Sequence, residues 1–296
     1  MNYFASGKLL LFGEYLVLKG SGCLAIPLKY GQKMQVENSD QNNFNWVSKI
    51  DEKVWFSCAF SKDLEIIETP DFVKADTLMT LLKIIKEEKP SLFQTGQNFQ
   101  TQLDFPLEWG WGSSSTLISL LSQWSKIDPY LLLKSSLGGS GYDIACATAN
   151  TPIIYDMESH ETIPVYLFPK ITSKLLFVYS GKKQISEKEV KQFSPLKIST
   201  DKVEKMKSII ILAAKATQID VFEDATEESE NLLSPILNSP TLKEKYFADY
   251  PFAIKSLGAW GGDFFMATFR KENDARSYFA GKGYSVLFNY NEIIKK

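Results

Sequence analysis

The segment Glu108–Thr116, E-W-G-W-G-S-S-S-T, constrains this chain more than any other, because it runs directly into the apolar-periodic stretch Leu117–Trp124. Two glycines and three serines sit where a loop opens a helix. Without a Cβ, Gly110 and Gly112 let the backbone turn tightly and come close to a ligand. The first amides of the following helix lack intrahelical partners and lie at the positive end of its dipole. Ser113, Ser114 and Ser115 add hydroxyls, so the segment can cradle a phosphate. It lacks the Lys of a P-loop and the spacing of the dinucleotide fingerprint. Taken alone, it reads first as a Ser N-cap after a glycine turn.

A chain of 296 residues, 44% hydrophobic and 23% charged, can bury a sizeable core and suggests two domains. The net charge of −2 gives no electrostatic footprint for nucleic acid or an anionic membrane. Only Arg270 and Arg276 are arginines, poor material for bidentate readout of bases. Cys23, Cys58 and Cys146 are widely spaced and odd in number. They suggest neither a disulfide framework nor a zinc site, and fit a reducing, cytoplasmic compartment. The opening Met1-Asn-Tyr-Phe-Ala-Ser-Gly-Lys does not resemble a secretory leader, and no apolar run has membrane-spanning length. His160, the only histidine, stands in a polar turn. A Ser-His-Asp triad or multi-histidine metal site is therefore not expected, and base chemistry falls to a carboxylate or a lysine.

Periodicity predicts an α+β chain. Extended segments are expected at 8–18 (broken near Gly13), 24–28, 33–37, 44–48, 54–59, 99–105, 153–156 and 165–168. Helices are expected at 77–88, over the apolar-periodic 117–124 that follows the glycine–serine segment, at 127–133 and from 142 to 148. Beyond a boundary near 168–174, strands at 174–179, 253–256, 264–270 and 284–289 alternate with helices at 199–217, 221–237 and 273–281. The domains are thus 1–169 and 170–296.

Two further glycine-rich turns, Gly138–Gly141 and Lys255–Asp263, join the one near residue 110. Several such loops on different elements suggest backbone amides converging on a polyanion. Three segments taken in order carry a resemblance: A-S-G-K-L-L-L-F-G-E-Y-L-V-L-K-G, G-W-G-S-S-S and K-S-L-G-A-W-G-G-D-F. They resemble the three motifs of the GHMP small-molecule kinases across most of the chain. The G-E-Y of the first, the G-S-G-Y-D segment and the G-G-D ending look most like the mevalonate and phosphomevalonate kinase branch. The resemblance implies an N-terminal domain like ribosomal protein S5 domain 2, a ferredoxin-like C-terminal domain, and use of ATP with Mg2+.

Residue by residue, the resemblance implies that Asp143 orients or deprotonates the acceptor oxygen and that Lys8 pairs with it and counters phosphoryl charge. Without the family, Asp143 reads as a helix N-cap and Lys8 as a solvated strand-start lysine. Gly110, Gly112, Ser113, Ser114 and Ser115 would hold the ATP phosphates, with Ser114 near Mg2+. Gly258, Gly261 and Gly262 would close over the reacting phosphates. Glu14, Ser140, Lys182 and Lys183 are candidates on the substrate side. Mevalonate kinases carry a Mg2+-binding Glu about ten residues before the catalytic Asp; here Leu131–Lys134 holds no acid. Trp111 and Trp260 replace smaller residues, Trp111 reading as core and Trp260 as more open. The expected partners are ATP and a small-molecule acceptor, not nucleic acid or membrane, in a monomer or homodimer. Mevalonate or phosphomevalonate leads as acceptor. A sugar or other alcohol, or a non-catalytic nucleotide-binding relative, stays open.

Overall fold

The computed structural model describes residues 1–182, 193 and 195–295. It is a mixed α+β chain in two compact units. The first comprises Met1–Gly7, Tyr30–Leu107 and Trp111–Thr148; the second comprises Lys8–Lys29, Glu108–Gly110 and Ala149–Lys296. Strands β1 (Asn2–Phe12) and β2 (Cys23–Asn38) each run from one unit into the other. Sequence periodicity leaves 29–32 between two extended segments, but the structure keeps β2 whole. Gly31 faces the Ala5 carbonyl so closely that a Cβ would overlap it, so the glycine permits close strand approach and does not mark a break.

In the first unit the end of β2 pairs antiparallel with β6 (Gln97–Leu103). Strand β6 runs parallel to β3 (Phe44–Ile50), which pairs with β4 (Lys53–Phe60), and β4 with β5 (Ile66–Glu68). Along β6, Gln97, Phe99, Thr101 and Leu103 are buried while Asn98 and Gln100 are exposed. That period of two gives the sheet one apolar and one wet face. Helices α1 (Phe72–Glu88), α2 (Ser113–Ser125), α3 (Pro129–Lys134) and α4 (Tyr142–Thr148) contribute to a core around Trp46, Phe99, Trp124, Leu82 and Ile118. Helix α1 starts earlier than its periodicity predicts because the Asp71 side chain accepts from the Lys74 amide and caps it. It stops where Lys89 precedes Pro90.

In the second unit Cys23–Ala25 of β2 pairs with β7 (Ile153–Tyr155), and β7 with β8 (Thr162–Pro164). The strand expected at 165–168 is thus displaced upstream. Thr162, Ile163 and Pro164 supply the register against Tyr155, Ile154 and Ile153, and Pro164 is tolerated because β8 is an edge. Phe168 then leads into α5 (Pro169–Thr172), with proline in its first turn. A second antiparallel sheet has the order β10 (Ile254–Leu257), β11 (Phe264–Thr268), β9 (Leu175–Tyr179), β12 (Leu287–Asn289). Its core joins Leu176, Val178, Ile254, Phe265 and Ala267 to Phe247 and Phe279. Phe247 follows α8 (Leu242–Tyr246) and Phe279 belongs to α9 (Glu272–Gly281). Helices α6 (Thr200–Lys215) and α7 (Ile219–Leu237) pack together, and α10 (Tyr290–Ile293) ends the unit. No helix among the described residues is long and apolar enough to cross a membrane.

Candidate functional site

The glycine–serine segment becomes the N-terminus of α2, as its composition predicts. The cap, however, is not a serine. Gly112 occupies the cap position in left-handed conformation (φ 89°), and no side chain caps the helix. The backbone amides of Ser113, Ser114 and Ser115 therefore open the helix at the positive end of its dipole. Ser114 is exposed, Ser113 half-buried and Ser115 buried. That gradient leaves one hydroxyl outward and turns another inward. Trp111, just before this turn, is fully buried against Tyr30 and Phe105, each at 5.7 Å between ring centroids. It is core, as expected.

Asp143 lies in the first turn of α4, beyond the N-cap position it would fill in an isolated reading. Its Oδ1 accepts from the Ile144 amide at 3.1 Å, and its Oδ2 accepts a hydrogen bond from the Ser115 hydroxyl. The carboxylate is thereby tied to the first turn of α2 across 28 residues of sequence. It is half-buried. The preceding turn has positive φ at Gly138, Gly139 and Gly141, with Ser140 half-buried between them. The first unit thus holds a phosphate-type helix terminus and a carboxylate joined by a direct hydrogen bond.

The second unit holds Lys8, Gly110 and the glycine loop 258–262. Lys8 Nζ donates to the Gly110 carbonyl at 3.0 Å. Gly110 has φ 66°, and a Cβ on it would overlap the Asp263 carboxylate. The missing side chain therefore admits an acid beside the loop. Trp109 packs on Tyr179, Phe264 and Phe288 at 5.4–6.2 Å. Burial, followed by the charges of Glu108 and Asp263, raises the Tyr179 phenol pKa. Gly258 and Gly261 have positive φ, and the Gly262 amide closes the turn on the Ala259 carbonyl at 2.8 Å.

Glu14 is wholly buried and faces Lys255, whose Nζ lies 2.8 Å from its Oε1 and 3.4 Å from Glu230 Oε1. Burial raises the pKa of both carboxylates, against the opposing charge of Lys255, and pushes Glu230 up to about 7. Lys182 is exposed and lies 5.1 Å from the Tyr246 ring centroid. Lys183 lies outside the described residues.

Sequence reasoning assigned no role to Lys255, Asp263, Tyr15 or Glu230. The first two stand inside a glycine turn already singled out. Glu230 carried a signal too. Phe222, Thr226, Glu230 and Leu233 form one buried stripe of α7, where an acid breaks the apolar pattern. Cys23, Cys58 and Cys146 are all buried.

No family model matches the sequence, and no match among curated proteins was found. Solved structures do match over nearly the whole chain. The Methanococcus jannaschii mevalonate kinase has 16% identity and a TM-score of 0.72, with 100% of this chain and 98% of that one covered. The Streptococcus pneumoniae phosphomevalonate kinase, in complex with phosphomevalonate and AMPPNP, has 18% identity and a TM-score of 0.71, covering 98% and 99%. The Lactococcus lactis galactokinase, complexed with galactose, has 13% identity and a TM-score of 0.66, covering 97% and 92%. This chain has the fold they share, the two-domain GHMP kinase architecture.

Proposed function

We propose that this chain, built on the GHMP kinase fold, is an ATP-dependent small-molecule kinase whose acceptor is mevalonate or phosphomevalonate. The observation that carries the reading is the Ser115–Asp143 hydrogen bond, which ties a candidate base to an uncapped helix terminus suited to phosphate. In this reading the amides of 113–115 hold the ATP phosphates. The acceptor oxygen, a hydroxyl of mevalonate or a phosphate oxygen of phosphomevalonate, forms a new O–P bond to the γ-phosphorus and the bond from that phosphorus to ADP breaks; Asp143 orients that oxygen and, where it is a hydroxyl, takes its proton. Lys8 would counter charge on the transferred group. The loop at Gly258, Gly261 and Gly262 closes over the phosphates.

Mg2+ commonly binds through few protein oxygens plus nucleotide phosphates and water. The exposed Ser114 hydroxyl at the start of α2 fits that limited demand; the ion would screen phosphate charge there. Ser140, Lys182 and Lys183 are the candidates for holding the acceptor, with Glu14 acting through Lys255. The division into a nucleotide-binding half, 1–169, and a ferredoxin-like half, 170–296, and a cytoplasmic monomer or homodimer, belong to the same reading. A sugar acceptor is the second reading, favoured by the galactokinase match.

A coupled ADP-release assay with Mg-ATP tests it, against mevalonate, phosphomevalonate and galactose, with Asp143→Asn alongside. Turnover on one acceptor, reduced about 100-fold or more by the substitution while Mg-ATP still binds, is the expected result. Equal inertness of both proteins on all acceptors would refute the kinase reading.

A further inference from the structure

Glu14 and Tyr15 are consecutive residues just past β1, and both grip the segment carrying the last glycine loop. Glu14 holds Lys255, three residues before Gly258. Tyr15 holds the crown of the loop: its hydroxyl accepts from the Trp260 backbone amide at 2.7 Å. Trp260 is fastened again through its indole N–H, which donates to the Pro240 carbonyl at 3.2 Å. That bond gives this bulky residue a task in a loop where the family pattern has a small one.

Two further observations separate this arrangement from ordinary packing. Tyr15 has φ 59° and ψ −46°, a region strained for a bulky side chain. A residue with no special duty at such a turn would be glycine or asparagine. Its ring is held nonetheless, 7% exposed and 5.1 Å from the Phe193 ring. On the loop itself, Cβ atoms built at Gly258 and Gly261 meet nothing within 4 Å among the described residues. The loop is therefore fastened at Trp260 while the positions of two of its glycines stay open.

We propose that Tyr15 is a positioning residue, setting the loop 258–262 in the shape in which its amides meet nucleotide phosphates. The task assigned to the loop rests on the kinase reading; the anchoring does not. Removing one hydrogen-bond acceptor from the loop amide should cost about three- to tenfold in what the loop does.

The test is Tyr15→Phe, which keeps the ring and deletes only the hydroxyl. Hydrogen exchange reads the Trp260 amide, calorimetry reads Mg-ATP binding, and steady-state kinetics separates kcat from acceptor KM. Expected are strong protection of the Trp260 amide in wild type and its loss in the variant. Mg-ATP affinity or kcat should fall at least threefold, with acceptor KM and melting temperature nearly unchanged. Equal exchange in the two proteins, or nucleotide affinity and kcat both within twofold of wild type, would overturn the proposal. Should the variant not fold, the wild-type amide decides: protection no greater than at Ala259 or Gly261 also overturns it. If wild type binds no Mg-ATP, the kinase reading fails, and exchange alone still decides the anchor.

Discussion

Glu230→Gln changes the charge count beneath the glycine loop with almost no change of shape. Two carboxylates face one ammonium there: Glu14 from the turn after β1, Glu230 from α7 and Lys255 from β10, with exposures of 0%, 3% and 0%. The Glu230 carboxyl, at 4.5 in water, titrates at about 7 in the fold because burial disfavours its charge. Between those values the native chain holds a proton that the unfolded chain has released, so stability falls as pH rises from 4.5 and levels off above about 7. At about 1.4 kcal/mol per pH unit, the penalty reaches about 3 kcal/mol. Glutamine carries no such penalty. Its amide oxygen can still accept from the Ser256 amide, which Glu230 Oε1 does at 3.2 Å, and it leaves Glu14 and Lys255 as a one-to-one pair. Unfolding followed by tryptophan fluorescence at pH 5, 6, 7 and 8 should show the variant near wild type at pH 5. By pH 8 it should be more stable by roughly 1–3 kcal/mol. Uniform destabilisation at every pH, or an unchanged pH slope, would refute the charge argument.

Other substitutions test the remaining contacts. Lys255→Met leaves two carboxylates buried without their cation and should cost about 3–5 kcal/mol of stability by urea unfolding at pH 7. Gly110→Ala places a Cβ on the Asp263 carboxylate at φ 66° and should destabilise by more than about 1 kcal/mol. The double variant with Asp263→Ala should recover part of that loss, because the steric share disappears. Trp111→Ala empties a fully buried site between Tyr30 and Phe105 and should lower stability by about 3–5 kcal/mol, measured as a shifted melting temperature.

The elements that sequence located best are those whose signals are local. Helix α4 was legible because Gly141 stops one conformation and Tyr142–Thr148 starts another. Helix α2 was legible from its glycines and its apolar period. Elements set by partners were not. Strand β5 is three residues long and exists through its pairing with β4. Helix α8 spans five residues, and its capping box, Thr241 with Glu244, went unread because no long apolar stripe follows it. The Ser115 and Asp143 assignments rest on the resemblance to the GHMP kinase motifs, but that one donates to the other depends on how α2 and α4 pack, which no periodicity encodes.

Glu14 shows how a motif residue can be legible while its surroundings are not. The resemblance puts Glu14 among the substrate-side candidates, while by itself a glutamate there reads as the cap of a bend. In the fold it has no exposed surface, its Oε1 meets Lys255, and its Oε2 has no hydrogen-bond partner among the described residues. A buried pair of this kind is weak as a source of stability, since desolvation offsets its attraction. What it does provide is a fixed distance between the turn after β1 and the strand that enters the glycine loop, across 241 residues of sequence. The unpartnered Oε2 and the raised carboxyl pKa of Glu14 both follow from the same dry surroundings. With Tyr15 beside it on the Trp260 amide, the G-E-Y segment acts on the last glycine loop through two contacts of different chemistry. One is ionic and sensitive to proton occupancy; the other is a neutral hydrogen bond that pH leaves alone. Tyr15→Phe should therefore alter loop behaviour equally at pH 6 and pH 8, whereas Glu230→Gln should alter it only where the carboxyl pair titrates. Amide exchange at Trp260 at the two pH values distinguishes the contacts, and matching pH responses in the two variants would mean that the loop is held by one coupled unit.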